Sequence, residues 1–425
     1  MNMKPGLRPS LVAAACAALI AGSAIAQTPP PAAAPATTPA QTKPTEPVAG
    51  ANPESSPPTL LPAMAGPLAA NPKPASYDLG PLGTVYVTGA VSGLQQWQNH
   101  ASPGDHSSQA DLSNGQVFLN KPDGLVQYFL QAGVYSLPAL GTPYVRASHA
   151  TNDFYGPVPQ WFVKIAPTDD FSIMAGKLPT LIGAEYTFSF ENMNIERGLL
   201  WNQENAVNRG VQVNYTAGPV VLAVSWNDGF YSNKYSWIWG SATYTIDKEN
   251  TVAFIGGGNT KRTDISTTAT PLFLNNEQIY NLIYTHIAGP WTLQPYYQYT
   301  SVPASAVYGT TQKATTSGVA LLVNYAFDAD STVGGLKLAG VNLPVRLEYI
   351  SSTGSAAGGA PNLIYGQGSK AWSITVTPTY QDRIFFARAD LSFVQARNTT
   401  AGLAFGRDGN NTSQTRFLLE AGLLF

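Results

Sequence analysis

The sequence predicts an all-β fold, a transmembrane antiparallel β-barrel of about 16 strands (range about 14–18). Three observations carry this. The composition is poor in charge and rich in polar and aromatic residues. Apolar side chains recur with a period of two rather than 3.6. The connections between the candidate strands alternate between short and long.

Charged residues make up 11% of the 425 positions, less than half of the ~25% usual in soluble domains. The hydrophobic share is an ordinary 44% and the mean hydropathy is −0.06, which excludes a helical membrane protein. The chain holds 39 Gly and 21 Tyr, and Thr, Ser, Asn and Gln replace the missing charge. With 23 basic against 25 acidic residues there is no cationic surplus to neutralise phosphates, so nucleic acid is excluded as a partner.

The first 26 residues read as a signal peptide. Lys4 and Arg8 precede the apolar stretch 11–26, which closes on Ala24-Ile25-Ala26, placing cleavage before Gln27. The run is too short and too rich in Ala and Gly for a membrane anchor. Acylation at Cys16 is disfavoured by Ala13 where a lipoprotein usually has Leu. Cys16 is the only cysteine, so the mature chain would have no disulfide, thiolate metal site or Cys nucleophile. Loss of Lys4 and Arg8 leaves 21 basic against 25 acidic residues, a net charge of −4.

Residues 27–76 read as a disordered Pro/Ala-rich periplasmic spacer. They hold 14 of the 33 prolines and almost no aromatic or β-branched apolar residue. Such a stretch cannot bury enough surface to offset its ordering entropy. In an extended, polyproline-like form it would reach on the order of 150 Å. It serves as a plain spacer or contacts peptidoglycan; composition leaves both open.

From Thr84 onward the alternation predicts strands near 84–98, 114–121, 124–135, 159–167, 169–177, 207–217, 218–228, 234–247, 250–259, 276–288, 289–301, 314–328, 342–353, 370–380, 383–396 and 412–425. Residues 291–300 show it best. Trp291, Leu293, Pro295, Tyr297 and Tyr299 share one face, with Thr292, Gln294, Tyr296, Gln298 and Thr300 on the other. In 371–380, Trp372, Ile374, Val376 and Tyr380 alternate with Ser373, Thr375, Thr377 and Thr379. The last strand sets Phe417, Leu419, Ala421, Leu423 and Phe425 against Arg416, Glu420 and Gly422.

Short connections carry turn formers, as in 167–170, 216–219, 247–250, 288–290 and 380–383. Between them lie longer polar stretches at 99–113, 136–158, 178–206, 260–275, 302–313, 354–369 and 397–411. Sorting of connections by parity is the layout of a membrane barrel, with short periplasmic turns and longer external loops. In hydrocarbon every backbone group must be paired, so only helices or closed barrels cross it. The apolar faces are then lipid-facing and the polar faces line a lumen. Trp226, Tyr231, Tyr235, Trp237 and Trp239 are expected in one interfacial aromatic girdle, and Tyr215, Trp291 and Tyr380 in the other.

Two features resemble known proteins. The terminal strand ending in Phe417 and Phe425 resembles the C-terminal signal read by the barrel-assembly machinery of Gram-negative outer membranes. Gly176-Lys-Leu-Pro-Thr-Leu-Ile-Gly-Ala-Glu185, followed by Asn205-Ala-Val-Asn-Arg-Gly-Val211, resembles the OmpL-like group of β-barrel porins, with Leu181 where that family usually has Pro. The resemblance covers about residues 84–425. It implies an outer-membrane channel for passive diffusion of small hydrophilic solutes, among lipid and lipopolysaccharide. A homotrimer is compatible with it, but no interface signature marks one.

Inside such a barrel, function rests on what narrows the pore. Loop 178–206 combines acids with apolar anchors: Glu185, Glu191, Glu196, Arg197 and Glu204 with Phe188, Phe190, Leu199, Leu200 and Trp201. It is expected to fold inward as the constriction; the alternative is a loop lying over the mouth. Charge is costly on a lipid face, so Lys164, Arg346, Glu348, Arg388, Asp390, Arg416 and Glu420 are expected on the pore wall. There they would face the acidic loop across the lumen in a transverse field, form wall networks that stiffen the barrel (Arg346 with Glu348, Arg388 with Asp390), or do both.

An enzyme is not expected. The four histidines, His100, His106, His149 and His286, accompany no nucleophile elbow. His100 and His106 beside Asp105 are a weak metal pair, and Gly256-Gly257-Gly258 ends a strand rather than opening a helix. No cofactor or metal is expected. A structural anchor or receptor with a plugged lumen, or an embedded hydrolase, are the other readings.

Overall fold

The structure, a computed structural model, describes Leu61 and residues 63–425. The predicted signal peptide and most of the predicted spacer lie outside the described residues. Sixteen antiparallel strands form one closed barrel. In order they are Thr84–Gln98, Ser108–Lys121, Val126–Tyr135, Gln160–Ile165, Phe171–Pro179, Val207–Ala217, Val220–Asn227, Trp237–Thr245, Asn250–Asn259, Gln278–Ala288, Trp291–Val302, Ala314–Ala326, Val341–Ser352, the interrupted pair Lys370–Val376 and Thr379–Asp382, Phe385–Arg397, and Ser413–Leu424. Each pairs with its sequence neighbour, and the seam closes where Thr84–Gln98 pairs with Ser413–Leu424, from Ala90 opposite Leu424 to Gln98 opposite Arg416.

Two local departures have plain causes. The second strand begins at Ser108, six residues before the predicted 114, with only Ala110 and Leu112 as a weak apolar face on this stretch. A register shift at Ser92/Gly93 accommodates the extra residue Ser113. The fourteenth strand breaks at Thr377-Pro378, since proline has no N–H for the ladder.

Alternation sets the two faces. Val91, Val117, Val224, Phe254, Leu282, Val319 and Trp372 are exposed on the outside. Ser92, Gln116, Ser225, Asn281 and Ser373, one step away on the same strands, point inward and are buried. Closing the seam, the Gly89 N–H donates to the Phe425 carbonyl at 2.8 Å and the Phe425 N–H returns the bond at 3.0 Å. The Phe425 ring lies against Gly89, where any larger side chain would collide with it. Phe417 stacks on Trp97 at 5.7 Å across the same seam.

The girdle expectation needs correction. Trp226 and Tyr235 are exposed on the outside with centroids 5.9 Å apart. Trp237 and Trp239, however, are fully buried inside the barrel, stacked at 5.3 Å, while Ile238 between them takes the outer face. Tyr231 is packed inward beside Tyr155. A Trp-Ile-Trp triplet is apolar on both parities, so sequence alone cannot say which face it turns to lipid. Near the short turns, Tyr215, Tyr244 and Trp291 face outward, with Trp291 edge-on to Tyr325 at 4.7 Å.

Candidate functional site: a lumen loop held by wall arginines

Between Phe171–Pro179 and Val207–Ala217 the chain does not stay outside. Loop 180–206 lies in the lumen, with Ile182, Phe188, Phe190, Ile195, Leu199 and Leu200 all buried. Ile182, Leu199 and Leu200 pack with inward-facing Ile279, Ile283, Tyr296 and Leu322 of the wall. Two glycines permit the approach. Gly183 has φ +86°, which L side chains rarely adopt, and lies against the Glu204 carboxylate. Gly198 lies so close to the Glu348 carboxylate that a Cβ would overlap it.

Three wall arginines clasp this loop. Arg346 donates to Glu185 Oε1 at 2.6 Å, to the Glu196 carbonyl at 2.6 Å and to Thr375 Oγ1 at 3.2 Å. Its Nε lies 3.2 Å from Glu348 Oε2. Arg416 donates to Glu196 Oε1 at 2.7 Å, to Gln98 Oε1 at 2.7 Å and to the Ala139 carbonyl at 2.8 Å. Arg388 pairs with Glu420 on the adjacent strand and donates to the Asn192 carbonyl at 3.1 Å. All three are essentially inaccessible to solvent.

The acids complete the clasp. Glu348 accepts from Leu200 N at 3.2 Å and Ser373 Oγ at 2.8 Å. Asp390 accepts from Ile195 N at 3.1 Å and Thr377 Oγ1 at 3.0 Å. Glu420 Oε1 accepts from Ser189 Oγ at 2.9 Å, and Glu196 Oε2 from Ser392 Oγ at 2.9 Å. Glu185 Oε2 takes the Gly198 N–H at 2.7 Å, and Glu191 Oε2 the Phe188 N–H at 2.9 Å.

Loop acids and wall arginines are therefore in direct contact, forming the paired networks that the sequence offered beside a transverse field. Lys164 stands apart from the clasp, half-buried on the inward face of its strand. Arg197 has its backbone tied to loop 136–159, through bonds to Pro138 and Leu140. Its guanidinium lies 4.6 Å over the Trp201 ring without a hydrogen bond among the described residues.

That second inward loop escaped the sequence reading. Leu137, Ala139, Leu140 and Tyr144 are buried, although the stretch reads as an ordinary external loop. The carbonyls of Ala139, Asn192 and Glu196 that receive arginine are backbone groups, and no side-chain pattern announces them. Asp105 is committed to Gln98, Gln109 and the Tyr144 N–H rather than to His100, whose Nδ1 meets the Ser413 carbonyl at 2.8 Å.

Glu204 and Glu277 lie buried with carboxylates that have no hydrogen-bond partner among the described residues. Burial, then the charges of Glu185 and Glu348, hold the Glu204 carboxyl well above the usual range. Burial and Glu204 do the same to Glu277. Burial also pushes Glu191 up to about 8. Such groups hold protons more tightly with the loop seated, so seating is favoured at low pH and weakens as pH rises through the raised values. Open-channel noise should accordingly grow as pH rises toward about 8, the value to which Glu191 is raised. Glu204→Gln combined with Glu277→Gln should flatten that dependence; an unaltered pH profile in the double variant would refute the assignment.

A family model described as "Putative beta-barrel porin-2, OmpL-like" matches residues 84–425, the whole barrel. The chain belongs to this family. The porin is thus an outer-membrane barrel of the Gram-negative type. Solved structures share its fold at low identity. The outer-membrane protein OmpT of Vibrio cholerae has a TM-score of 0.52 at 12% identity, covering 83% of this chain and 100% of that one. The outer-membrane channel DcaP of Acinetobacter baumannii gives 0.52 at 13%, covering 80% and 97%. An anion-selective porin from Comamonas acidovorans gives 0.50 at 12%, covering 80% and 99%. No curated protein sequence matches the porin.

Proposed function

We propose that this porin passes small hydrophilic solutes by passive diffusion, with loop 180–206 as its constriction. The observation that carries the reading is the fastening of that loop to three buried wall arginines within the lumen. A loop held at so many points presents a fixed aperture, which a size-selective channel needs. Because its charges are largely paired, the aperture acts more on size and polarity than on sign. Among the described residues no cluster of His, Asp and Glu that could hold a metal accompanies it, and the reading assigns the loop to transport. Insertion through the barrel-assembly machinery fits the closing role of Phe425, and a homotrimer remains the assembly to test by native mass.

Deletion of residues 186–200 removes Glu191, Glu196 and Arg197 and the seats for Arg388 and Arg416. In liposome swelling with sugars, amino acids and organic acids of graded size, the deletion should raise the exclusion limit and speed entry of the larger members. Identical swelling rates for intact and deleted proteins would sink the constriction reading.

A further inference from the structure

Besides the apolar wall residues that receive Leu199 and Leu200 of the loop, the inward face of the barrel carries a second apolar patch. Phe118, Phe129, Phe386 and Leu424 all point into the lumen and are buried. They lie near the end that carries the short turns: Leu424 is the penultimate residue, and Phe386 follows the turn at 383–384. An apolar patch facing water would be unfavourable. Here it is covered by the chain's own N-terminal stretch. Leu61 and Leu68 are buried against it, with Met64 and Ala70 alongside and the lumen-loop rings Phe188 and Phe190 in the same cluster.

Polar contacts fix the stretch at two depths. The Ala65 N–H donates to the Glu191 carbonyl of the constriction loop at 2.7 Å. Further out, the Ala69 N–H donates to Gln381 Oε1 at 2.8 Å, and Gln381 Nε2 donates back to the Ala69 carbonyl at 2.9 Å. Ala75–Asp78 then pairs with the start of the first barrel strand, Tyr77 opposite Val85, which turns the chain back toward the lumen. These residues fall at the end of the predicted spacer, and in the described part that stretch is packed rather than free.

We propose that Leu61 and residues 63–70 form a resident strap that docks on the apolar patch, closes part of the periplasmic half of the lumen and limits conductance together with the loop. The proposal rests on the channel reading above for its transport consequence, and on packing alone for its docking. Among the described residues the strap is held by a few apolar side chains and backbone hydrogen bonds rather than by secondary structure, so it is displaceable where the barrel wall is not. Its contact with Glu191 couples it to the constriction.

Two measurements on the full chain test it. In a Cys16→Ser background, Leu68→Cys and the exposed Tyr77→Cys are labelled with a membrane-impermeant maleimide in detergent micelles. Leu68→Cys should react about tenfold or more slowly, as a buried strap requires. In planar bilayers, Leu61→Asp with Leu68→Asp should raise single-channel conductance about twofold over the parent chain, with barrel folding verified by heat-modifiable gel migration. Equal labelling at the two cysteines overturns the docking. Conductance of the folded double variant equal to that of a conducting parent overturns the occlusion. If no variant conducts, the channel reading fails and the occlusion with it, while slow labelling of Leu68→Cys would still establish the docked strap.

Discussion

Arg346→Met should unseat loop 180–206 while leaving the barrel standing. The substitution keeps the length of the side chain but removes the guanidinium that neutralises Glu185 and Glu348 and holds the Glu196 carbonyl. Both carboxylates are buried, so they would be left as uncompensated charge. Breaking a buried pair from one side typically costs ~3–5 kcal/mol. None of that falls on the interstrand ladder, because Arg346 contributes to the ladder through its backbone alone. The cost falls on the loop, whose seated fraction should drop by about two to three orders of magnitude.

Two readouts follow. Arg197-Gly198 is a trypsin site inside the buried loop, so the variant should be cut there in detergent micelles and the parent should resist. Open-channel noise should rise in the same preparation. Adding Glu185→Gln should restore part of the protection, since removing both partners is far less harmful than removing one. A variant that resists trypsin and conducts as quietly as the parent would show that this ion pair does not hold the loop.

Leu282→Arg should destabilise the folded barrel by ~2–4 kcal/mol in lipid. Leu282 sits at the middle of Gln278–Ala288 on the outer face, between Phe254 and Tyr297 of the neighbouring strands. At that depth an arginine must draw water or headgroups inward to keep its charge solvated. Tyr244→Arg is the internal control, because Tyr244 faces outward one residue from the end of its strand, beside the short turn at 246–249. There the penalty should be only ~0–1 kcal/mol. Urea titration of folding into liposomes, read by gel mobility, separates the two. Equal midpoints would mean that this face does not meet hydrocarbon.

Strand existence was legible because parity is a local property. Each of the sixteen predicted segments overlaps an observed strand, and Trp372, Ile374 and Val319 turn outward as the alternation requires. Reading faltered where local pattern is silent. Trp237 and Trp239 could satisfy either face, and only the neighbours Phe230 and Asn275 inside the lumen decide for them. In residues 108–113 only Ala110 and Leu112 mark the outer face, too few to carry the alternation. In the site, the charged side chains were visible by type and spacing, but their partners were not. Arg416 meets Glu196 across 220 positions of sequence, and Arg388 meets a carbonyl of Asn192 that any residue type could supply.

The amino-acid sequence alone determined that alternate side chains face opposite media, because a strand offers its substituents no other choice, and hence that the chain closes on itself in lipid. Which arginine holds which acid, how deep the loop sits, and where Leu61 and residues 63–70 lie were decided only by the tertiary structure. Those contacts depend on closure, which brings together groups hundreds of residues apart by a register that no local pattern records.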